Sequence, residues 1–239
     1  MKKLAAALAL SLLPLAFAAQ AEITTTDVVG RKVTVPDVPK RVVLGFYYED
    51  YLAIAGPGSL DRVVGLSLTT WKDWRPKQFA AYEKALPKLK TLPDVGSTDD
   101  NTFSIEKLIA TKPDLLILAT FSYEALGESV KQIAGIPVLV LDYLSQTVDK
   151  HVASTLALGK IMGQEKRAQE LADNYRKAFE DIDARIKKAG PTKKKVYFEL
   201  AQKGASEVGN SYGNSMWGAL VTRLGGHNIA DGQVGNWGP

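Results

Sequence analysis

The sequence predicts an α/β protein of two lobes, each built on a largely parallel sheet flanked by helices, with a long rigid helix between them. Up to residue 146, short Val/Ile/Leu runs alternate with helical segments, as in sheets that are buried on both faces. After residue 147 two helical segments follow each other without a strand between them. The alternation then resumes but reaches residue 239 after one clear strand and one helix, so we expect the second lobe to be incomplete in this chain.

The composition is that of an ordinary globular protein and excludes several kinds of site. The 239 residues are 46% hydrophobic and 23% charged, and they include two histidines and no cysteine. These numbers argue against zinc fingers, iron–sulfur clusters, thiol nucleophiles and three-histidine metal cages. We therefore expect no metal site made by the protein itself and no resident cofactor.

Residues 1–21 have the pattern of a secretory signal peptide. Lys2 and Lys3 precede an uncharged run, and Ala19-Gln20-Ala21 fits a small-x-small cleavage site. The cleavage point carries no cysteine, so we expect a soluble periplasmic protein without a lipid anchor, beginning at Glu22. Removal of this segment leaves 28 basic and 26 acidic residues. The lysine-rich run at 187–195 then indicates a solvated helix end, and we expect no nucleic-acid partner.

Residues 22–146 are predicted to form the N-terminal lobe. Alternating valines around Gly30-Arg31 predict a hairpin over residues 24–41. The strands and helices that follow are predicted from apolar runs and helical spacing. Strands are expected at 42–44, 63–66, 114–118 and 138–141, and helices at 50–55, 77–86, 104–111 and 123–134.

Residues 147–189 are predicted to form a helical connector, and residues 190–239 a partial C-terminal lobe. Helices are expected at 147–163 and 165–188, the second with apolar residues three or four apart on one stripe. Gly190-Pro191 ends it. The remainder predicts a strand at 196–200, a glycine-rich loop at 204–213 and a helix at 215–224.

Motifs for catalysis are missing from the sequence. No dinucleotide fingerprint follows the first strand of the predicted sheet, and no phosphate-binding loop with Lys-Ser/Thr occurs. Neither His151 nor His227 lies near a serine elbow, so Ser-His-Asp catalysis is disfavoured. We expect a binding protein, with a periplasmic α/β enzyme as the alternative.

Aromatic and cationic side chains follow the predicted strand ends, where ligands bind in α/β sheets. Planar rings beside arginine suit a large, partly aromatic and partly anionic ligand. The predicted ligand-binding residues are Tyr47, Tyr48, Trp71, Trp74, Arg75 and Tyr123 from the first lobe, with Tyr212 and Trp217 from the second.

Six segments together resemble one family, the periplasmic binding proteins for iron complexes. The resemblance covers residues 24–239, and its pieces are specific in combination. They are Asp27–Pro36, Pro39–Val43, Asp94-Val95-Gly96, Ser104–Ile117, Leu158–Gly163 and Gly225-Gly226-His227-Asn228-Ile229-Ala230.

The resemblance implies a monomeric substrate-binding protein of an ABC importer, holding a ferric siderophore, haem or cobalamin between its lobes. It also implies that Glu106, at the position of the family's first-lobe docking glutamate, pairs with arginines of the membrane permease. The corresponding second-lobe glutamate would follow Pro239. A zinc or manganese carrier is disfavoured because two histidines give too few ligands. The sequence does not distinguish between the chelates, and it leaves open whether protein groups ligate the metal.

Overall fold

The computed structural model describes most of the chain after the predicted signal peptide, which lies outside the described residues together with residues 204–208 of the predicted glycine-rich loop. The described residues are 22–56, 58–133, 135–190, 192, 194–200, 209–235 and 237–238. Within these ranges no helix is long and apolar enough to cross a membrane.

The first lobe is built on a four-stranded parallel sheet that follows an antiparallel hairpin. The hairpin strands are β1 (Ile23–Thr26) and β2 (Lys32–Val35). The sheet strands are β3 (Val42–Leu44), β4 (Val63–Leu66), β5 (Leu115–Ala119) and β6 (Val138–Leu141). Their order is β4-β3-β5-β6, so the chain turns back across β3 after β4. This confirms the parallel sheet that the apolar runs predict.

The strands are buried on both faces because helices cover each side. Alternate residues of one strand belong to two separate apolar clusters: Ile117 lies in the larger cluster, and Leu116 and Leu118 lie in the smaller one. Continuous apolar runs, rather than alternation with polar residues, follow directly from this two-sided burial.

Eight helices complete the described fold, in addition to short 3₁₀ segments. They are α1 (Tyr48–Ala55), α2 (Leu68–Trp74), α3 (Pro76–Ala85), α4 (Ile105–Ala110), α5 (Thr120–Leu126), α6 (Val148–Ile161), α7 (Glu165–Ala189) and α8 (Met216–Arg223). The single helix expected at 123–134 is wrong in its bounds, because α5 begins at Thr120 and ends at Leu126, and a 3₁₀ segment follows from Gly127 to Ile133.

The connector consists of α6 and α7, which pack against each other. The contact is close because Gly159 of α6 lies directly against Ala168 of α7, and Ala168 and Ala172 are fully buried. With 25 residues, α7 extends about 37 Å. The rest of α7 is largely exposed and amphipathic, as its spacing predicts.

The region after α7 forms two small sheets within the described residues. β7 (Lys195–Val196) pairs in parallel with β10 (His227–Asn228). β8 (Glu199–Leu200), β9 (Asn210–Tyr212) and β11 (Trp237–Gly238) form an antiparallel sheet in the order β11-β9-β8.

Two predictions for this region are therefore corrected. The single strand expected at 196–200 is two short strands: β7 pairs with β10 in one sheet, and β8 pairs with β9 in the other. β9 itself lies near the end of the predicted loop at 204–213. The break between the strands coincides with Phe198, whose carbonyl accepts a hydrogen bond from the Ser211 hydroxyl at 2.8 Å.

Candidate functional site

A cleft of about 310 Å³ opens at the carboxyl end of the parallel sheet, where the strand order reverses. Open α/β sheets bind ligands at this kind of place, and the volume lies near the lower end for small-molecule sites. Segments that follow β3, β4 and β6 contribute side chains, as do the connector helices. The lining residues are Phe46, Tyr47, Tyr48, Glu49, Asp50, Thr70, Trp71, Trp74, Arg75, Gln78, Tyr143, Leu144, Gln146, His151 and Tyr175.

Tyr47 joins the end of β3 to the end of β6. Its backbone is left-handed, with φ 58° and ψ 47°, a conformation that costs free energy in a residue other than glycine. The Tyr47 hydroxyl accepts a hydrogen bond from the Tyr143 amide at 3.1 Å, and the two rings meet edge-to-face at 5.0 Å. Burial raises the pKa of Tyr47, so the phenol stays neutral at physiological pH. The strained turn therefore holds the rings of Tyr47 and Tyr143 in fixed positions between the ends of β3 and β6.

Tyr48 and Trp71 form a stacked pair on the neighbouring wall. Their ring centroids are 4.7 Å apart with the planes inclined by 14°, and the Tyr48 hydroxyl donates to the Ser67 carbonyl at 2.8 Å. Trp71 is only 2% exposed, whereas Trp74, one turn later, is 58% exposed. The pair is therefore part of the supporting wall, and Trp74 presents a free apolar face at the rim.

The carboxylate of Asp94 fixes the helix that carries these tryptophans. It accepts hydrogen bonds from the amides of Leu68 and Thr69 at 3.0 and 3.3 Å, and from the Thr69 hydroxyl at 2.5 Å. It also accepts from the Gly96 amide at 3.0 Å. Asp94 thus acts as a remote cap for the first turn of α2.

Arg75 and two acidic residues place charge in the cleft. Arg75 Nη1 lies 3.1 Å from Glu49 Oε1, which ties the α2–α3 junction to the first turn of α1. Burial, reinforced by the neighbouring charge of Glu49, raises the pKa of Asp50 to about 6. The guanidinium predicted to meet an anionic ligand is thus already paired with a carboxylate.

The connector helices supply a wall that the sequence analysis did not predict. His151 of α6 and Tyr175 of α7 stack with centroids 3.6 Å apart and planes parallel within 1°, and His151 meets Tyr143 edge-on at 4.7 Å. Burial lowers the pKa of His151 to about 4, so the imidazole is neutral at physiological pH. The sequence offered one signal for this wall, the position of Tyr143 directly after β6.

The structure brings together five of the eight predicted ligand-binding residues, Tyr47, Tyr48, Trp71, Trp74 and Arg75. The other three lie elsewhere. Tyr123 packs with the smaller cluster of the sheet, with the Arg31 guanidinium 4.3 Å from its ring centre. Tyr212 and Trp217 both contact Phe198 in the second region, and neither lines the cleft.

The arrangement suits binding by stacking and hydrogen bonding. Among the described residues, no group of three or more histidine, aspartate or glutamate side chains is placed to hold a metal ion.

Glu106 lies apart from the cleft, exposed in the first turn of α4. The helix begins there because the Ser104 hydroxyl oxygen accepts a hydrogen bond from the Lys107 amide at 3.2 Å. An acidic residue in this turn is also favoured by the helix dipole. The carboxylate is thus available to a partner surface.

A parallel α/β lobe, a cleft at its strand ends and a long helix leading to a second α/β region form an architecture typical of periplasmic solute-binding proteins. Comparison with known families agrees. The chain belongs to the periplasmic binding protein family, whose model matches residues 42–238.

The names of known relatives give different cargoes, and a solved structure has the same fold. The molybdate-binding protein MolA of Haemophilus influenzae is 29% identical over 88% of this chain and 52% of its own length. The iron(3+)-hydroxamate-binding protein YxeB of Bacillus subtilis is 29% identical over 81% of this chain and 53% of its own. A crystal structure of the TroA-like periplasmic binding protein FepB of Veillonella parvula superposes with a TM-score of 0.80 at 29% identity, covering 91% of this chain and 64% of that one. The chain thus spans about half the length of the curated relatives it matches.

Proposed function

We propose that the protein is the periplasmic solute-binding component of an ABC importer and captures an iron chelate, a ferric siderophore or a similar complex. The aromatic cleft at the carboxyl ends of β3, β4 and β6 is the observation that carries this proposal. Residues 22–146 would supply the first binding lobe, 147–189 the connector and 190–239 part of the second lobe. The periplasmic location rests on the family and on the predicted signal peptide.

The cleft favours a bulky organic complex over a bare ion. The exposed ring of Trp74 and the His151–Tyr175 pair offer flat apolar surfaces, and the buried stack of Tyr48 on Trp71 supports the wall behind them. A bare cation or oxyanion would need a ring of polar ligands instead. YxeB binds an iron(3+)-hydroxamate, which is a complex of this kind. Haem and cobalamin remain alternatives for the same cleft.

Quenching of tryptophan fluorescence tests the proposed cargo, because Trp71 and Trp74 both line the cleft. Ferric siderophores, haem, cobalamin and molybdate would each be titrated into the protein. We expect saturable quenching by at least one chelate and none by molybdate. In the Trp74→Phe variant this quenching should decrease, whereas Trp217→Phe, outside the cleft, should leave it unchanged. The absence of saturable quenching by every chelate would contradict the proposal.

Docking of the importer's permease is proposed to use Glu106. Reversing an exposed docking charge turns attraction into repulsion without touching the ligand. Glu106→Arg should therefore leave the Kd for the chelate within about threefold of wild type while abolishing chelate uptake by cells. Glu170→Arg, which makes the same charge change at an exposed position of α7, is the control and should support normal uptake. Equal uptake by Glu106→Arg and wild type would exclude this role.

A further inference from the structure

The described wall of the cleft carries more negative than positive charge. Its ionisable groups near neutral pH are the carboxyls of Glu49 and Asp50 and the guanidinium of Arg75. His151 is neutral because burial lowers its pKa to about 4. Arg75 is paired with Glu49 and also attracts the carboxylate of Asp50, so one guanidinium faces two carboxylates and the described lining residues carry one excess negative charge.

Two nearby cations, Lys72 and Lys150, do not add positive charge to the residues that line the cleft. Lys72 lies 5.1 Å from the centre of the Phe79 ring and does not line the cleft. Lys150 is paired with Asp142 at 2.9 Å and does not line the cleft. Burial, with a smaller contribution from the charge of Glu49, raises the pKa of Asp50 to about 6. A ligand at this wall therefore meets a partly desolvated site with an excess carboxylate.

Iron chelates differ in net charge in a way that this wall can distinguish. Three hydroxamates each carry one negative charge and together neutralise Fe³⁺, and an appended ammonium group makes the complex cationic. Three catecholates each carry two negative charges and leave the complex trianionic. Like charges brought together in a partly desolvated cleft oppose binding.

We propose, resting on the function proposed above, that this cleft selects neutral or cationic ferric hydroxamates and rejects trianionic ferric catecholates. Glu49 and Asp50 are the residues that set this selectivity. Arg75 does not reverse it because its charge is already balanced by Glu49 at 3.1 Å.

The test compares Kd values by tryptophan quenching for three probes: neutral ferrichrome, cationic ferrioxamine B and trianionic ferric enterobactin. Near neutral pH and at physiological ionic strength, both hydroxamates should bind at least about tenfold more tightly than the catecholate. Higher salt should reduce this difference in Kd because it screens the repulsion between the catecholate complex and the carboxylates. A catecholate that binds as tightly as either hydroxamate would overturn the inference and leave the proposed function standing. Failure of all three probes, and of haem and cobalamin, would overturn the proposed function as well.

Variants that neutralise one carboxylate at a time test whether Glu49 and Asp50 set the preference for hydroxamates over the catecholate. Glu49→Gln and, separately, Asp50→Asn should tighten binding of ferric enterobactin by about three- to tenfold while changing ferrichrome binding by less than about twofold. Asp73→Asn makes the same change at an exposed residue of α2 that does not line the cleft, and it should alter neither Kd. An unchanged enterobactin-to-ferrichrome ratio in both cleft variants would refute the assignment.

Discussion

The contact of Arg75 with Glu49 changes the role that the sequence predicts for Arg75. In the sequence it follows two tryptophans and predicts a donor for an anionic ligand. In the structure its side chain is 49% exposed and paired with Glu49, in the first turn of α1, 26 residues earlier. Its other N–H groups can still donate to ligand oxygens, since a guanidinium has five donors. It therefore combines ligand contact with neutralisation of an acidic wall.

Arg75→Ala should weaken ferric hydroxamate binding by about 1.5 kcal/mol, close to tenfold in Kd, the lower end for a charge-assisted hydrogen bond at a half-exposed site. The loss arises because ligand oxygens lose a donor and Glu49 loses its partner. Lys72→Ala, on the same helix and outside the cleft, should bind within about twofold of wild type. The Kd of each variant for the ferric hydroxamate is measured by tryptophan quenching. Equal Kd values for Arg75→Ala and wild type would show that Arg75 does not contact the ligand.

Asp50 should destabilise the fold at neutral pH. Its pKa is about 6 in the folded protein, against an ordinary value of 3.8. As pH rises through this interval, the unfolded chain releases its proton first, so the free energy of unfolding falls and the full penalty is present above pH 6. Asp50→Asn should therefore add about 2 kcal/mol to the free energy of unfolding near pH 7.5 and little below pH 4.

Urea titrations at both pH values, with Asp73→Asn as the control, measure this difference. A variant that is equally stabilised at both pH values would show that the gain does not come from the charge of Asp50.

Helix α2 is the element of the first lobe's cleft wall that the sequence could not predict, although its flanking strands and helices were found. The predicted α/β order, the parallel sheet and the long connector helix depend on local apolar patterns, and the structure confirms them. The residues of α2 lack a strong local pattern, and its first turn is completed by Asp94, about 25 residues further along the chain. The stacking of His151 on Tyr175 was missed for a similar reason, because it depends on how α6 packs on α7.

Removal of the Asp94 carboxylate should destabilise α2 and the aromatic wall that it carries. Burial opposes ionisation, but hydrogen bonds from Thr69, Gly96 and Leu68 outweigh it and lower the pKa of Asp94. Because the folded pKa lies below 3.8, this stabilisation is present above that pH and is lost as pH falls through the folded value. Asp94→Ala should reduce the free energy of unfolding by about 2 kcal/mol near neutral pH.

The fluorescence spectrum gives a second measurement for this variant. Trp71 should become more exposed in Asp94→Ala, which shifts the emission to longer wavelength in the folded state. Asp99→Ala, in the loop that follows Asp94, is the matched control, since its hydrogen bonds involve Ser97 and do not reach α2. A normal spectrum together with unchanged stability in Asp94→Ala would contradict the capping role.

The molecule as a whole combines a strongly buried first lobe with a more open second region. β5 and β6 are buried throughout and lie side by side in a four-stranded sheet. The strands after α7 have two or three residues each, and Tyr197, Trp217 and Leu224 are about half exposed there. The bidentate pair of Arg223 with Asp183, at 3.1 and 2.7 Å, ties α8 to the connector helix. The two regions should therefore differ in local stability while remaining attached.

Native-state hydrogen exchange can measure this difference. Amides of 115–119 and 138–141 should exchange only through global unfolding, because their hydrogen bonds are buried within the sheet. Amides of 195–200 and 210–212 should exchange at least about tenfold faster, through local opening of short strands with little buried apolar surface. Arg223→Ala should increase this difference in exchange rate because it loosens α8 from α7. Arg185→Ala is the control and should not change it, since Arg185 is an exposed residue of α7 that pairs with Asp181 at 3.8 Å. Equal protection of the two regions in the wild-type protein would mean that they unfold as one cooperative unit.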